Sequence, residues 1–408
     1  MTFHHKINSR IVFLRSPSDS YWTVPLIGTC MYILAFIIGY FLKLPILNIA
    51  GTCLLFLIVM IGKYKTILII RRDLTINIAF LILLIPIVNT LINLESIWPI
   101  YFIKHIAIYS LYILIFSFGL PPLYETNKRK YFIAIISILL GLSIIGGKVF
   151  EYGGQVRLIG IFTNPNNLSL MALPLLFFIN EDKDTVFKKG FLNLFVIIIL
   201  IISSTAGAIL AYIAANAYKY RKKFKKIYVS LPLIFLILLL IFYIQDLKQF
   251  QFTNKIITQS MVINEKYSDA ISMEEINYGN LVSQYGTPSL SGIWRLSLWV
   301  RALYIISDSN IIKVFFGNGI GSSRQLLGAL PHNEYLRIFL EQGTFGFILN
   351  IILFVIIWLR INSKYRYLLL MFAIFSFSEN NIDNFLFMSL FIFFIASAQV
   401  RKSKIIRL

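Results

Sequence analysis

Long apolar stretches alternate with short clusters of charge along most of this chain, and the alternation has the length scale of a lipid bilayer. A helix needs about 20 apolar residues to cross a hydrocarbon core of roughly 30 Å. Apolar runs bounded by charge divide the sequence into twelve segments: 23–42, 45–62, 74–92, 100–118, 131–147, 158–179, 190–204, 206–218, 227–244, 335–358, 367–378 and 384–399. The seventh, eighth and eleventh are short for a span. A single long polar stretch, roughly 245–334, separates the ninth from the tenth. The pattern predicts an all-α integral membrane protein of about 12 transmembrane helices. Helices 1–9 fall within residues 1–244, a large outer loop carrying amphipathic helices covers 245–334, and helices 10–12 fall within 335–408.

Composition agrees. Of the 408 residues, 58% are hydrophobic and 14% charged, and mean hydropathy is +0.77. Soluble domains run nearer 45–50% apolar and about 25% charged, which excludes a soluble enzyme, a disordered chain and a fibrous repeat. The net charge of +20 would point to nucleic acid in a soluble protein, so the position of the charge matters. Most Lys and Arg fall in one alternating set of connections, around 6–15, 63–72, 128–130, 183–189, 219–226, 360–366 and 401–407. Positive charge favours the cytoplasmic side, which puts these connections and both termini inside and the 245–334 loop outside. The charge excess is then a matter of membrane orientation. The outer side is close to neutral, and no nucleic-acid partner is implied.

The basic start followed by segment 23–42 resembles a signal peptide, but no small-x-small cleavage site follows, and an uncleaved first span is expected. Cys30 and Cys53 lie in apolar runs and read as buried thiols. The histidines His4, His5, His105 and His332 show no metal-ligand spacing. No internal repeat or transporter-like inverted symmetry stands out.

Charged and polar residues outside the cytoplasmic loops are the candidates for chemistry, because ionisable groups at membrane depth are costly unless paired or functional. Lys104 and His105 read as side chains snorkelling from the outer end of the fourth span, with substrate contact as the other reading. In Arg157-Leu-Ile-Gly-Ile-Phe-Thr-Asn-Pro-Asn-Asn167, Pro165 suits the first position of a helix with Asn164 as its cap. That predicts a helix start near 165, preceded by a re-entrant piece and offering free N–H groups to an anion. A proline kink with an interfacial Arg157 is the alternative. Residues 292–307 carry apolar positions at helical spacing with Arg295 and Arg301, which predicts an amphipathic helix on the outer leaflet, one arginine of which can grip a phosphate. Gly317-Asn-Gly-Ile-Gly321 looks superficially like a dinucleotide fingerprint but lacks its last glycine and its βαβ setting, and reads as a flexible loop. His332 stands where loop meets span, placed either structurally or to take a proton from an acceptor hydroxyl. Glu341, four residues after Arg337, reads as an intrahelical ion pair with a functional role left open.

Three of these pieces together resemble the O-antigen ligase/polymerase family of bacterial membrane glycosyltransferases. They are Arg157…Gly160…Asn164-Pro165-Asn166, the Arg295 helix, and His332-Asn333…Glu341…Gly343…Gly346 before a late span. The resemblance implies a GT-C-like fold and sugar transfer on the periplasmic face of the inner membrane. The donor would be a glycan on undecaprenyl diphosphate, with no metal, cofactor or nucleotide sugar. It implies His332 as catalytic base on the acceptor hydroxyl and Arg295 as the group that binds the diphosphate. Arg157, Asn164, Asn166, Arg301, Asn333 and Glu341 would bind substrate. Membrane lipids, and a chain-length regulator in some systems, would be partners. Ligases of the family usually carry a further arginine at the start of a middle span, and here Ala206 in Ser203-Ser-Thr-Ala-Gly207 stands in that place. Arg157, the helix start at 165, Arg301 and Arg324 are the available substitutes. The departure favours a polymerase over the lipid A-core ligase, with a non-catalytic flippase or transporter as a more distant alternative.

Overall fold

A computed structural model describes residues 20–43, 51, 54–55, 74–92, 99–118, 129–146, 148–152, 155–162, 164–179, 186–203, 205–221, 264, 280, 283, 291–382 and 384–399. Most of the second segment, the whole ninth and nearly all of 245–290 lie outside these residues. The described chain is helical apart from one short hairpin.

The apolar runs become helices close to their expected limits: α1 (Ser20–Phe41), α2 (Leu74–Ile92), α3 (Pro99–Phe118) and α4 (Arg129–Ile145). An antiparallel hairpin then follows, β1 (Val149–Tyr152) and β2 (Gln155–Leu158), which hydropathy did not foretell. The sixth segment is broken. It starts as α5 (Pro165–Ala172), turns at Leu173 and Pro174, and resumes as α6 (Leu175–Ile179). Next come α7 (Val186–Ile202), α8 (Ala206–Tyr220), α9 (Ser291–Asp308), α10 (Ile311–Phe316) and α11 (Ser322–Leu327). The chain ends in α12 (Glu334–Arg360), α13 (Arg366–Phe375) and α14 (Phe385–Ser397). Of these, α3 and α12 are long and apolar enough to cross a membrane.

The helices pack around one large apolar core to which α1–α8 and α12–α14 all contribute. Aromatic stacking fills its centre, where Phe177 lies 4.7 Å from Tyr365 and 5.0 Å from Phe394, ring to ring. Outward-facing positions of α2, α7 and α12 carry exposed Leu, Ile and Phe, the arrangement of a helix bundle with an apolar exterior. Cys30, expected to be buried, faces outward from α1, and Cys53 lies outside the described residues. His105 does not snorkel: it is buried, 3.4 Å from the carbonyl of Ile82, with its ring against Tyr109. Its neighbour Lys104 is the half-buried member of the pair and lies over the Tyr101 ring.

Helix α12 organises one end of the bundle. It breaks at Gly343, where φ is 67° and ψ −173°. At 1.5 Å per residue a straight helix would carry Glu334 about 39 Å from Arg360, whereas α13 rises only about 15 Å over its length. Yet the amide of Glu334 donates to the carbonyl of Ser376, just past the end of α13, at 2.8 Å. The break turns the first segment of α12 across the bundle and makes that contact possible. Gly343 approaches the carbonyl of Phe315, and Gly317, also at positive φ (83°), approaches that of Glu341; a Cβ on either would sit 2.3 Å from the opposing oxygen. This contact is why residues 317–321 are not the flexible loop expected. Asn318 and Gly319 donate their amides to the carbonyls of Leu340 and Glu341, freed at the break, and the whole segment is buried.

Candidate functional site

Polar residues near the starts of α5, α9, α12 and α14 and past the end of α13 converge on one carboxylate, that of Glu379. It sits in the turn between α13 and α14, and the side chain is 10% exposed. Arg295 of α9 donates from Nη2 to Glu379 Oε1 at 2.9 Å. Asn166 of α5 donates from Nδ2 to the same oxygen. His332 Nδ1 lies 3.2 Å from Glu379 Oε2. Three residues singled out in the sequence, from three distant segments, meet on a fourth that was not.

Local chemistry explains each placement. Asn164 caps α5 as expected, its side chain accepting from the amide of Asn167 at 2.8 Å, with Pro165 at the first helical position. The cap turns Asn166 toward the site. His332 precedes the cap of α12 and adopts a left-handed backbone (φ 50°), uncommon for a residue with a side chain. The strain is held on both sides: Trp299 Nε1 donates to the carbonyl of Pro331 at 2.8 Å, and Asn333 caps α12 by accepting from Leu336 N at 3.1 Å. The indole of Trp294 lies 5.5 Å from the imidazole. Asn384 caps α14 and reaches Asn167 at 3.2 Å, joining the starts of two helices.

The hydrogen bond from His332 defines its tautomer. An ionised carboxylate only accepts, so Nδ1 is the donor of this bond, and in the neutral ring the lone pair is then on Nε2. Among the described residues, nothing hydrogen-bonds Nε2, and the side chain is 25% exposed. The Arg295 side chain is 24% exposed, while its Nε is buried without a partner among the described residues. The first turns of α5, α12 and α14 lie at the same end and add the positive ends of their dipoles.

Helix α8 starts close to the same turn. Thr205 and Ser203 hydrogen-bond around Ser169, at 2.9 and 2.5 Å, and Ala206 opens the helix. Gly207 is so close to Ser378 that a Cβ would meet its Oγ at 1.8 Å. Residue 206 therefore starts a helix beside the turn that carries Glu379.

Other expected site residues stand apart. Arg157 lies in β2 opposite Phe150, and its side chain is outside the described residues. Arg301 is half-buried on α9 and joins none of these contacts, while Arg324 donates to the hydroxyl of Tyr101 at 3.3 Å. Glu341 forms the expected pair with Arg337 at 3.3 Å, but it is fully buried and also holds the hydroxyl of Ser323. Arg337 lies 3.5 Å from Glu334 as well, and Glu334 accepts from the amide of Ile382 at 3.1 Å. This buried network ties α11 to α12 and α12 to the turn of Glu379, so Glu341 acts behind the site. On α9, Ile293, Leu298 and Ala302 are buried, Leu298 and Ala302 pack with Leu327 and Leu340, and Ile306 packs against that cluster, whereas Leu303 is exposed. The helix lies on protein because α11 and the turned segment of α12 offer it an apolar seat.

Glu379 had one signal in the sequence: an acid in a short polar connection, Ser378-Glu-Asn-Asn381, between two very apolar spans. Neither a scan against protein-family models nor a comparison with curated proteins finds a match to this chain.

Proposed function

We propose that this protein is an integral-membrane glycosyltransferase that polymerises lipid-linked repeat units of O-antigen or a related surface polysaccharide. The observation that carries the reading is the carboxylate of Glu379 shared by His332 and Arg295 near the ends of short apolar helices. A base oriented by a carboxylate, beside a guanidinium, suits displacement of a phosphate leaving group by a hydroxyl.

The reaction has one displacement. His332 Nε2 takes the proton of an acceptor sugar hydroxyl as its oxygen bonds to the anomeric carbon of the donor glycan. The bond from that carbon to the phosphate oxygen breaks, and undecaprenyl diphosphate leaves with the electron pair. Glu379 faces the imidazolium as it forms, and Arg295 with the start of α5 faces the charge growing on the diphosphate. The basic helix ends lie on the cytoplasmic side in this reading, and the site opens to the periplasm.

Polymerase and ligase differ in acceptor, and Ala206 favours the polymerase. A gel of lipopolysaccharide from a deletion strain separates them: a polymerase leaves molecules with a single repeat, and a ligase leaves core only. Purified protein with lipid-linked repeats tests the chemistry. His332→Ala and Arg295→Ala, each alone, abolish chain growth in protein that still inserts and folds. Retained activity in His332→Ala overturns the base assignment.

A further inference from the structure

Helix α10, Ile311-Ile-Lys-Val-Phe-Phe316, has one side docked and one side bare. On the docked side the carbonyl of Val314 accepts from the hydroxyl of Thr344 at 3.0 Å, and Phe316 lies 6.2 Å from Phe345, ring to ring. On the other side Ile311 is 73% exposed and Ile312 and Phe315 each 51%. These three project within about 100° of one another around the helix axis, a compact apolar face with no protein on it among the described residues.

The height of that face can be read from two clamps. Arg360, at one end of α12, donates to Thr75 at the start of α2 at 2.7 Å. Near the other end, Asn89 of α2 donates to the carbonyl of Glu341 at 3.1 Å. The two helices run side by side between these points, and α10 rests on both, against α12 at Gly343 and Thr344. From Arg360 to Gly343 is 17 residues, about 25 Å of helix. A hydrocarbon core is about 30 Å thick. With the basic end of α12 at one boundary, α10 lies at the outer edge of the apolar slab and not above it. Its bare face also continues downward: Phe345, Ile348, Ile352, Val355 and Leu359, at the three- and four-residue spacing of one helix face, are all exposed along α12.

We propose that α10 is an in-plane helix embedded in the outer leaflet, with Ile311, Ile312 and Phe315 among the phospholipid acyl chains. It follows α9 directly and so anchors the end of that helix remote from Arg295. The embedding is independent of the glycosyltransferase reading.

The test uses the full chain in phospholipid nanodiscs with Cys30 and Cys53 replaced by serine. A fluorescent probe is placed through Ile312→Cys, through Ile311→Cys as a second position, and through Gln325→Cys on α11 for comparison. Phospholipids bearing a doxyl group near the top of the acyl chain quench the probes at 311 and 312 severalfold more than the probe at 325, and aqueous iodide gives the opposite order. Iodide quenching at 312 equal to that at 325, without quenching by doxyl lipid, overturns the proposal because the face is then in water. Probes at 311 and 312 silent to both quenchers also overturn it, because residues 245–290 or a second copy then covers the face. Either result leaves the activity assays of His332 and Arg295 variants to stand or fall by themselves.

Discussion

Replacing Glu379 by glutamine removes one charge and almost no volume, and it isolates what the carboxylate does for His332. When the imidazole takes a proton, an imidazolium and a carboxylate face each other at 3.2 Å with side chains 25% and 10% exposed. Two unit charges about 4 Å apart at an effective dielectric of 20 attract by about 4 kcal/mol. Solvent reaching a quarter of the imidazole lowers this to roughly 2–3 kcal/mol. The charge forms only as the proton moves, so this stabilisation belongs to the transition state and appears in kcat, as a fall of roughly 30- to 150-fold. An amide can also present its NH2 to the ring and select the wrong tautomer, which deepens the loss toward the ~10⁴-fold limit of general-base catalysis. Arg295, released from Glu379, keeps or improves its hold on the donor diphosphate, so the donor KM stays level or falls. The assay is initial-rate kinetics of Glu379→Gln on lipid-linked repeats in nanodiscs, with thermal unfolding measured on the same samples. A merely structural role would raise KM and lower Tm together. The reasoning is refuted if Glu379→Gln keeps the wild-type kcat.

Further outcomes follow from the contacts around the site. Gly343→Ala forces a Cβ against the carbonyl of Phe315 at positive φ, and a loss of about 2–4 kcal/mol is expected as a drop in the unfolding temperature of the detergent-solubilised protein. Gly190→Ala on α7, where a Cβ meets nothing, leaves stability level or raises it by up to about 1 kcal/mol. Arg337→Met leaves Glu334 and Glu341 buried together and costs about 3–5 kcal/mol, seen as lost yield of folded protein; adding Glu334→Gln and Glu341→Gln restores it. Asn164→Ala removes the cap of α5 and about 1 kcal/mol of stability; with diphosphate at that helix start, donor affinity measured by titration falls by more than this.

The helices could be read from the sequence because transfer of apolar side chains out of water is a local sum: each run bounded by Lys or Arg carries enough of it to specify a helix whatever lies beside it. Caps are equally local, and Asn164 with Pro165 marked the start of α5 in the middle of an apolar run. The turn at Pro174 and the hairpin of β1 and β2 were missed because hydropathy registers neither a short polar pairing nor a break inside an apolar stretch. Of the site, the sequence pointed to Arg295, His332 and Asn166 as separate candidates. It could not show that they share a carboxylate, since Glu379 is 84 residues from Arg295 and 213 from Asn166.

What the sequence determined by itself was where the described apolar helices run, which connections gather positive charge, and the polar segments worth suspecting. The tertiary structure decided which of those segments meet. Two glycine backbones in contact at residues 317 and 343 turn α12 across the bundle and bring His332 to the turn of Glu379. The same contact made a buried wall of what read as a flexible loop, and α9 found its seat on protein through α11 and the turned segment of α12. Such choices rest on shape and on pairing between groups far apart in the chain, and no pattern of neighbouring residues encodes a distance between them.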